Sequence, residues 1–404
     1  QTFTSMNVSK WFGALQERVQ NFFADLKHPQ RKRRAHFLLL AGTVAAFLIV
    51  WAVINLTASS ERGKTRAELK QLMEQIDQEI RAADNRRLTG DTDGANAVLQ
   101  KAEEEAKQVM NNESGLYRTE ALDILDRIRT KREEINNIVR LAPRVVVNAA
   151  AKNPDITLQG LIGLSDGEFI LYDKQDTYRV LLNAIDEPSH LSGDELIADA
   201  IAFSRYQTTV FQMADNSILE VISGQPTFMK TEDPAGWIAG RDIETYLRFL
   251  YILSPENNQI YKYERLSNRY AAPAQYNVNG NLEKALDMAV DGAIYIIKEG
   301  GEVVKLFRGE VQPFTVRHAP DKVLATSEKV FKVSGGNLYF LDPSEARVIV
   351  VTDGGTTGES SYVTQYVLEG EQVGTLKDLY VDPDEARLYV LDEKRLHVID
   401  LKAK

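Results

Sequence analysis

Apolar residues recur in three different registers along these 404 residues, and each register predicts a different kind of element. The first is a continuous run. Residues 37–56 (FLLLAGTVAAFLIVWAVINL) are apolar apart from Thr43 and Asn55, and none is charged. Twenty helical residues reach roughly 30 Å, the hydrocarbon thickness of a bilayer, so the run predicts a transmembrane helix. The second register is helical. Before the run, Val8, Trp11, Phe12, Leu15, Val19, Phe22, Phe23 and Leu26 follow i, i+3, i+4, i+7 spacing. They predict an amphipathic helix on the inner leaflet, or one packed on a further cytoplasmic domain. After it, residues 59–141 lack proline and read as helix. Leu69, Leu72, Met73, Ile76, Ile80 and Ala83 form one seam; Ala95, Val98, Leu99, Ala102 and Ala106 form a second. Leu122, Ile124, Leu125, Ile128, Ile135, Ile138 and Val139 form a third, with breaks at LTGDTDG (88–94) and NNESG (111–115). This stretch predicts a helical stalk, a coiled coil or a small bundle, whose seam could pair two copies.

From residue 142 the register shortens to that of strands. LYIL (250–253), IYII (294–297), LYFL (338–341) and LYVL (388–391) place Tyr251, Tyr295, Tyr339 and Tyr389 44, 44 and 50 residues apart. FILY (169–172) and VFQM (210–213) hold the same slot earlier. Polar turns at 174–176, 215–217, 254–258, 299–301, 342–345 and 392–394 follow each of the six. A strand–turn–strand unit repeated six times at this period predicts a six-bladed β-propeller, with the tyrosines packed between blades. RLHVIDL (395–401) brings the sixth blade to only three strands, and RVVVN (144–148) is an orphan strand able to supply the fourth. Such closure removes an open sheet edge. The predicted architecture is therefore multidomain: residues 1–34 juxtamembrane, 35–58 transmembrane helix, 59–141 all-α stalk, 142–404 all-β propeller.

Charge gives the chain an orientation. Residues 1–58 carry net +5, 59–141 net −2 and 142–404 net −13. The acidic C-terminal region argues against nucleic acid, which needs clustered Lys and Arg. Basic residues crowd the N-terminal side of the apolar run, so the positive-inside rule puts the N-terminus in the cytoplasm and the propeller outside it, in the cell membrane of a bacterium. Trp11, Arg31, Lys32, Arg33, Arg34 and Trp51 are the expected anchors, and lipid the expected partner.

Candidate chemistry is sparse. Absent cysteine removes disulfides and thiolate chemistry. None of the five histidines has a second at i+3 or i+4, and there is neither a G-x-S-x-G nor a phosphate-binding glycine loop. His397, in an alternating strand, reads as structural. ALDMAVDG (285–292) aligns with LKDLYVDP (376–383), setting Asp287 against Asp378. Asp166, Arg205, Arg241, Asp242, Asp287, Glu328 and Asp378 are the candidate channel-facing, ligand-binding residues. Their mixture of arginine and aspartate suits a calcium cage poorly, because Ca²⁺ takes an all-oxygen shell. No cofactor is expected.

The blades resemble NHL-type and related six-bladed propellers, in which an inner strand ending in V-D precedes an apolar IYV-type strand. The order of segments is similar to receptor-type Ser/Thr kinases and type 2C phosphatases with an extracytoplasmic propeller sensor. That resemblance implies a sensor that binds a small molecule or protein, with a catalytic domain upstream of Gln1. The alternatives are an envelope scaffold or assembly platform, or a tethered lactonase-like hydrolase using Ca²⁺.

Overall fold

The computed structural model describes residues 32–401 except 114, 166, 192, 194 and 356; between 32 and 65, side chains are described only at Thr43, Val44, Phe47, Leu48, Val50 and Trp51. The described residues fall into two compact units, one of those up to 79 together with 101–126, the other of 80–100 together with those from 127 on.

Three helices run before the strands: α1 (Lys32–Leu88), α2 (Thr92–Met110) and α3 (Arg118–Ile135). Within the first unit Ile76, Ala102, Ala106, Val109, Ala121 and Ile124 are buried. Glu79 and Glu105 both pair there with Lys101. In the second unit the break between α1 and α2 falls where the glycines and aspartates predicted it. Gly90 takes a left-handed φ of 81°, and the Asp91 carboxylate accepts from the Gly94 N–H at 2.9 Å, satisfying a free donor at the start of α2.

Among the described residues no helix is long and apolar enough to cross a membrane. Most side chains of the apolar run 37–56 lie outside the described residues, as do Trp11 and Arg31 and the side chains of Lys32, Arg33 and Arg34. Trp51 lies in α1 and is exposed.

The rest of the second unit is a six-bladed β-propeller. The blades span residues 160–185, 197–229, 242–275, 285–312, 329–368 and 376–400, each an antiparallel meander numbered one to six in chain order. The repeated tyrosines sit on the second strands and are buried. Each shares an apolar cluster with the following blade: Tyr251 with Met288 and Ile294, Tyr295 with Val330 and Phe340, Tyr339 with Leu379 and Val390. Tyr389 closes the circle against Phe169 of blade one, ring centroids 4.5 Å apart. Aromatic pairs of this kind add about 0.5–1.5 kcal/mol beyond the area they bury.

Two strands stitch the ring to what precedes it. β1 (Ile138–Leu141) runs parallel to the outer strand of blade five, Glu359–Leu368. β2 (Arg144–Asn148) runs antiparallel to Arg395–Asp400 and completes blade six, as the orphan RVVVN predicted. β1 was not foreseen, since Ile138 and Val139 continue the helical spacing of α3. The helix stops at Ile135 because Asn137 adopts a left-handed φ of 51°, which turns the chain into a strand. The Asn136 and Asn137 carbonyls are then held by Tyr362 and Thr364 of the outer strand of blade five.

Candidate functional site

The innermost strands of the six blades bring one equivalent position each to the central channel. These are Gly160, Asp199, Asp242, Asp287, Lys329 and Asp378, related by where the neighbouring blade's backbone meets them. Asp199 accepts the N–H of Ile243 at 2.9 Å, Asp242 that of Met288 at 3.0 Å, Asp287 that of Val330 at 2.7 Å and Asp378 that of Leu161 at 2.8 Å. Each aspartate thus ties its blade to the next, at joints two to three, three to four, four to five and six to one.

The two exceptions in the ring explain each other. Lys329 supplies the only cation; its Nζ lies 3.4 Å from Asp287 and 4.0 Å from Asp378. At Gly160 a side chain is excluded, since an added Cβ would fall 2.2 Å from the Tyr172 hydroxyl. Tyr172 fills that place and donates to Asp199 at 3.4 Å.

Burial dominates the electrostatics. It pushes the carboxyls of Asp199, Asp287 and Asp378 up, against the Lys329 charge that draws them down. Asp242 is pushed well above the usual range, by burial and then by its neighbours Asp287 and Asp199. Burial opposes the charge on Lys329, but Asp287, Asp378 and Asp199 outweigh it and hold the ammonium's pKa well above its ordinary value.

The ring separates two spaces. On the side of the strand starts a cavity of about 710 Å³ opens, walled by Arg241, Glu299, Thr326, Glu328, Ser344 and Lys377 over a floor of ring residues. Arg241 is braced by its Nε, which donates to the Leu286 carbonyl at 3.1 Å. On the other side a chamber of about 110 Å³ holds Glu244 among Met288, Phe331 and Tyr380. Burial, and then Asp287, push the Glu244 carboxyl well above its usual range. The Tyr380 ring lies over Gly163, where an added Cβ would fall 2.2 Å from it.

Of the residues singled out from sequence, Asp242, Asp287 and Asp378 meet in the ring, and Arg241 and Glu328 on the cavity wall. Arg205 stands apart. It occupies the exposed turn after the inner strand of blade two, six residues beyond Asp199 and so at the far end of that strand. Asp166 lies outside the described residues. Asp199, Lys329, Tyr172, Glu244 and Lys377 were missed. Aligning inner strands on the aspartate would have found the first two, since Asp199, Asp242, Asp287 and Asp378 each precede an apolar residue and Lys329 holds that slot before Val330.

Among the described residues no group of three or more carboxylate or histidine side chains could hold a metal. The ring does not suit calcium, because each of its aspartates gives an oxygen to a backbone N–H and the Lys329 ammonium stands against Asp287 and Asp378. His397 is fully buried, its Nε2 2.8 Å from Asp392, which also accepts from the N–H groups of Lys394 and Arg395. That arrangement shapes the turn of blade six.

No protein-family model matches the sequence, and no curated protein matches it. Solved structures of similar shape include a regucalcin, a calcium-binding protein from Agrobacterium tumefaciens, at 10% identity over 66% of this chain and 97% of that one, TM-score 0.45. U3-55K is similar at 10% identity over 61% and 96%, TM-score 0.41. PorZ, a surface component of the type-IX secretion system of Porphyromonas gingivalis, is similar at 13% identity over 61% of this chain, TM-score 0.41. The chain matches 37% of the length of PorZ. At these levels the likenesses carry no functional argument.

Proposed function

We propose that this protein is a membrane-anchored, extracytoplasmic β-propeller that binds a polar ligand, a small solute or a protein segment, at the open end of its channel. We read it as the sensor part of a transmembrane signalling protein. The observation that carries the binding reading is the 710 Å³ cavity above the Asp/Lys ring. Its floor is locked by inter-blade hydrogen bonds, so the site is formed before anything binds, and little ordering cost falls on association. Its wall presents Lys377 and the guanidinium of Arg241 from opposite blades, six and three, with Glu328 between them on blade five. This is an arrangement for a ligand bearing charges of both signs. Support for the anchor comes from the uncharged run 37–56 and the basic cluster before it.

The test places a photo-crosslinking residue at position 328 or 377 in cells, with position 228, on the outer strand of blade two, as control. A discrete adduct from the cavity positions that is lost in Arg241→Ala supports the reading. Adducts identical at all three positions, or unaffected by Arg241→Ala, refute it.

A further inference from the structure

Past the Asp/Lys ring, on the side away from the open cavity, one carboxylate breaks the repeat. Two residues beyond the ring position the six inner strands carry Ile162, Ile201, Glu244, Ala289, Phe331 and Tyr380. Five of the six are apolar or aromatic, so the blades need no acid at this level in order to pack. Glu244 Oε2 accepts the N–H of its own neighbour Thr245 at 3.2 Å, and among the described residues no donor reaches Oε1. The ring aspartates differ, each taking the N–H of the next blade. Lys329 pairs with two of those aspartates and not with Glu244. A carboxylate set in a chamber without a partner of its own costs the fold free energy, and that cost calls for another explanation.

The chamber's shape and lining supply one. Its volume is about 110 Å³, somewhat below the roughly 150 Å³ of an apolar cavity that admits benzene. Phe331 and Tyr380 line it with ring centroids 5.5 Å apart and planes crossed at 70°, giving two aromatic walls at a steep angle. Ile162, Ile201 and Met288 add hydrocarbon. A hard metal ion takes about six to eight oxygen ligands, and these walls do not offer them. An alkylated ammonium needs the converse, aromatic rings and apolar contacts around a single counter-charge.

We propose that this chamber binds a small alkylated ammonium ion, its charge paired with the Glu244 carboxylate and its methyl groups set against Phe331, Tyr380 and Met288. The site is separate from the open cavity and does not depend on what that cavity binds. Burial, then Asp287 and Asp199, favour the protonated form of Glu244, against the pull of Lys329. Asp242, Asp378 and the Tyr380 hydroxyl complete the titratable groups that line the chamber. An entering cation reverses the balance at Glu244, so binding expels a proton and strengthens as pH rises.

The full chain in maltoside detergent is dialysed to equilibrium against radiolabelled tetramethylammonium. Saturation at one ion per chain is expected, with half-occupancy below about 10 mM. Glu244→Gln should weaken binding about tenfold or more and remove most of its rise between about pH 6 and about pH 8. Glu264→Gln, on the third strand of the same blade and outside the chamber lining, should leave both unchanged. Phe331→Leu should weaken binding about fivefold. Glu244→Leu should abolish binding yet melt at or above the parent, because it makes the sixth blade position as apolar as the other five. A carboxylate kept for stability alone would lower the melting temperature instead. Absence of saturable binding in this range, binding unchanged in Glu244→Gln, or affinity indifferent to pH overturns the proposal. Displacement by equimolar potassium, or by neutral tert-butanol, overturns the alkylammonium assignment.

Discussion

Replacing Lys329 with methionine leaves the carboxylates of the channel ring without their counter-charge while nearly preserving side-chain volume. Removing one partner of a buried ion pair costs about 3–5 kcal/mol, because the other charge stays desolvated and unpaired. Lys329 keeps 28% of its side chain accessible and stands 3.4 Å and 4.0 Å from two aspartates, which favours the lower end, about 3 kcal/mol. For a domain of this size that corresponds to roughly 2–4 °C per kcal/mol, or about 6–12 °C in melting temperature. The pH dependence separates this account from a simple packing loss. Asp199, Asp287 and Asp378 already have folded pKa values above their unfolded ones. Such groups contribute stability below the unfolded value and lose it as pH rises through the folded one. Without Lys329 their folded values climb further, so the variant suffers most near neutrality and recovers on acidification. Lys329 itself, with its pKa raised above the ordinary lysine value, stays charged throughout that range. The assay is thermal unfolding of the full chain in detergent, followed by Trp237, which packs on Tyr263 and donates to the Met229 carbonyl at 3.1 Å, with Trp11 and Trp51 replaced by phenylalanine. The gap between parent and Lys329→Met should narrow between about pH 7.5 and about pH 5. A gap that stays constant, or one below about 1 kcal/mol, would refute the counter-charge account.

Other expectations follow from single contacts. Gly160→Ala drives a methyl group into the Tyr172 hydroxyl and should cost about 1–3 kcal/mol, whereas Gly160→Ala with Tyr172→Phe should recover part of it; urea titration of the pair reads the coupling. Glu220 is fully buried, bonded to Arg265 at 2.8 Å and to the Tyr270 hydroxyl, so Glu220→Gln should destabilise blades two and three by about 3–5 kcal/mol. Glu220→Met with Arg265→Met should be far milder by the same denaturation measurement. Val147→Asp puts a charge on the buried position of β2 and should unlatch blade six, seen as faster amide exchange across 376–400 while 242–275 stays protected.

The ring of blades was legible because each blade repeats one strand–turn–strand unit, and a repeated tyrosine marks the strand that packs on its neighbour. β2 was legible because a count of strands in blade six left a vacancy that RVVVN could fill. β1 was not, since its apolar spacing also fits a helix and only the backbone turn at Asn137 decides between them. The channel residues were half legible. Asp287 and Asp378 fall in matching phrases, but Lys329 breaks the aspartate pattern at the position where the structure needs a cation. Tyr172 reaches the ring from a neighbouring strand, a contact no linear spacing encodes. Arg205 was misplaced toward the channel because a charged residue near an inner strand does not reveal which end of that strand it occupies.

Pairing β2 with Arg395–Asp400 has a consequence for biosynthesis. Val145 is made early and must wait for His397 before its sheet exists. Five blades can assemble in order as they emerge, but the circle stays open until nearly the whole domain has been delivered. Until then β2 is an unpaired strand and the side of blade one that packs on Tyr389 is open, which favours a slow, late step of maturation and vulnerability to misassembly during it. A ribosome that stalls before residue 395 would release a horseshoe rather than a ring.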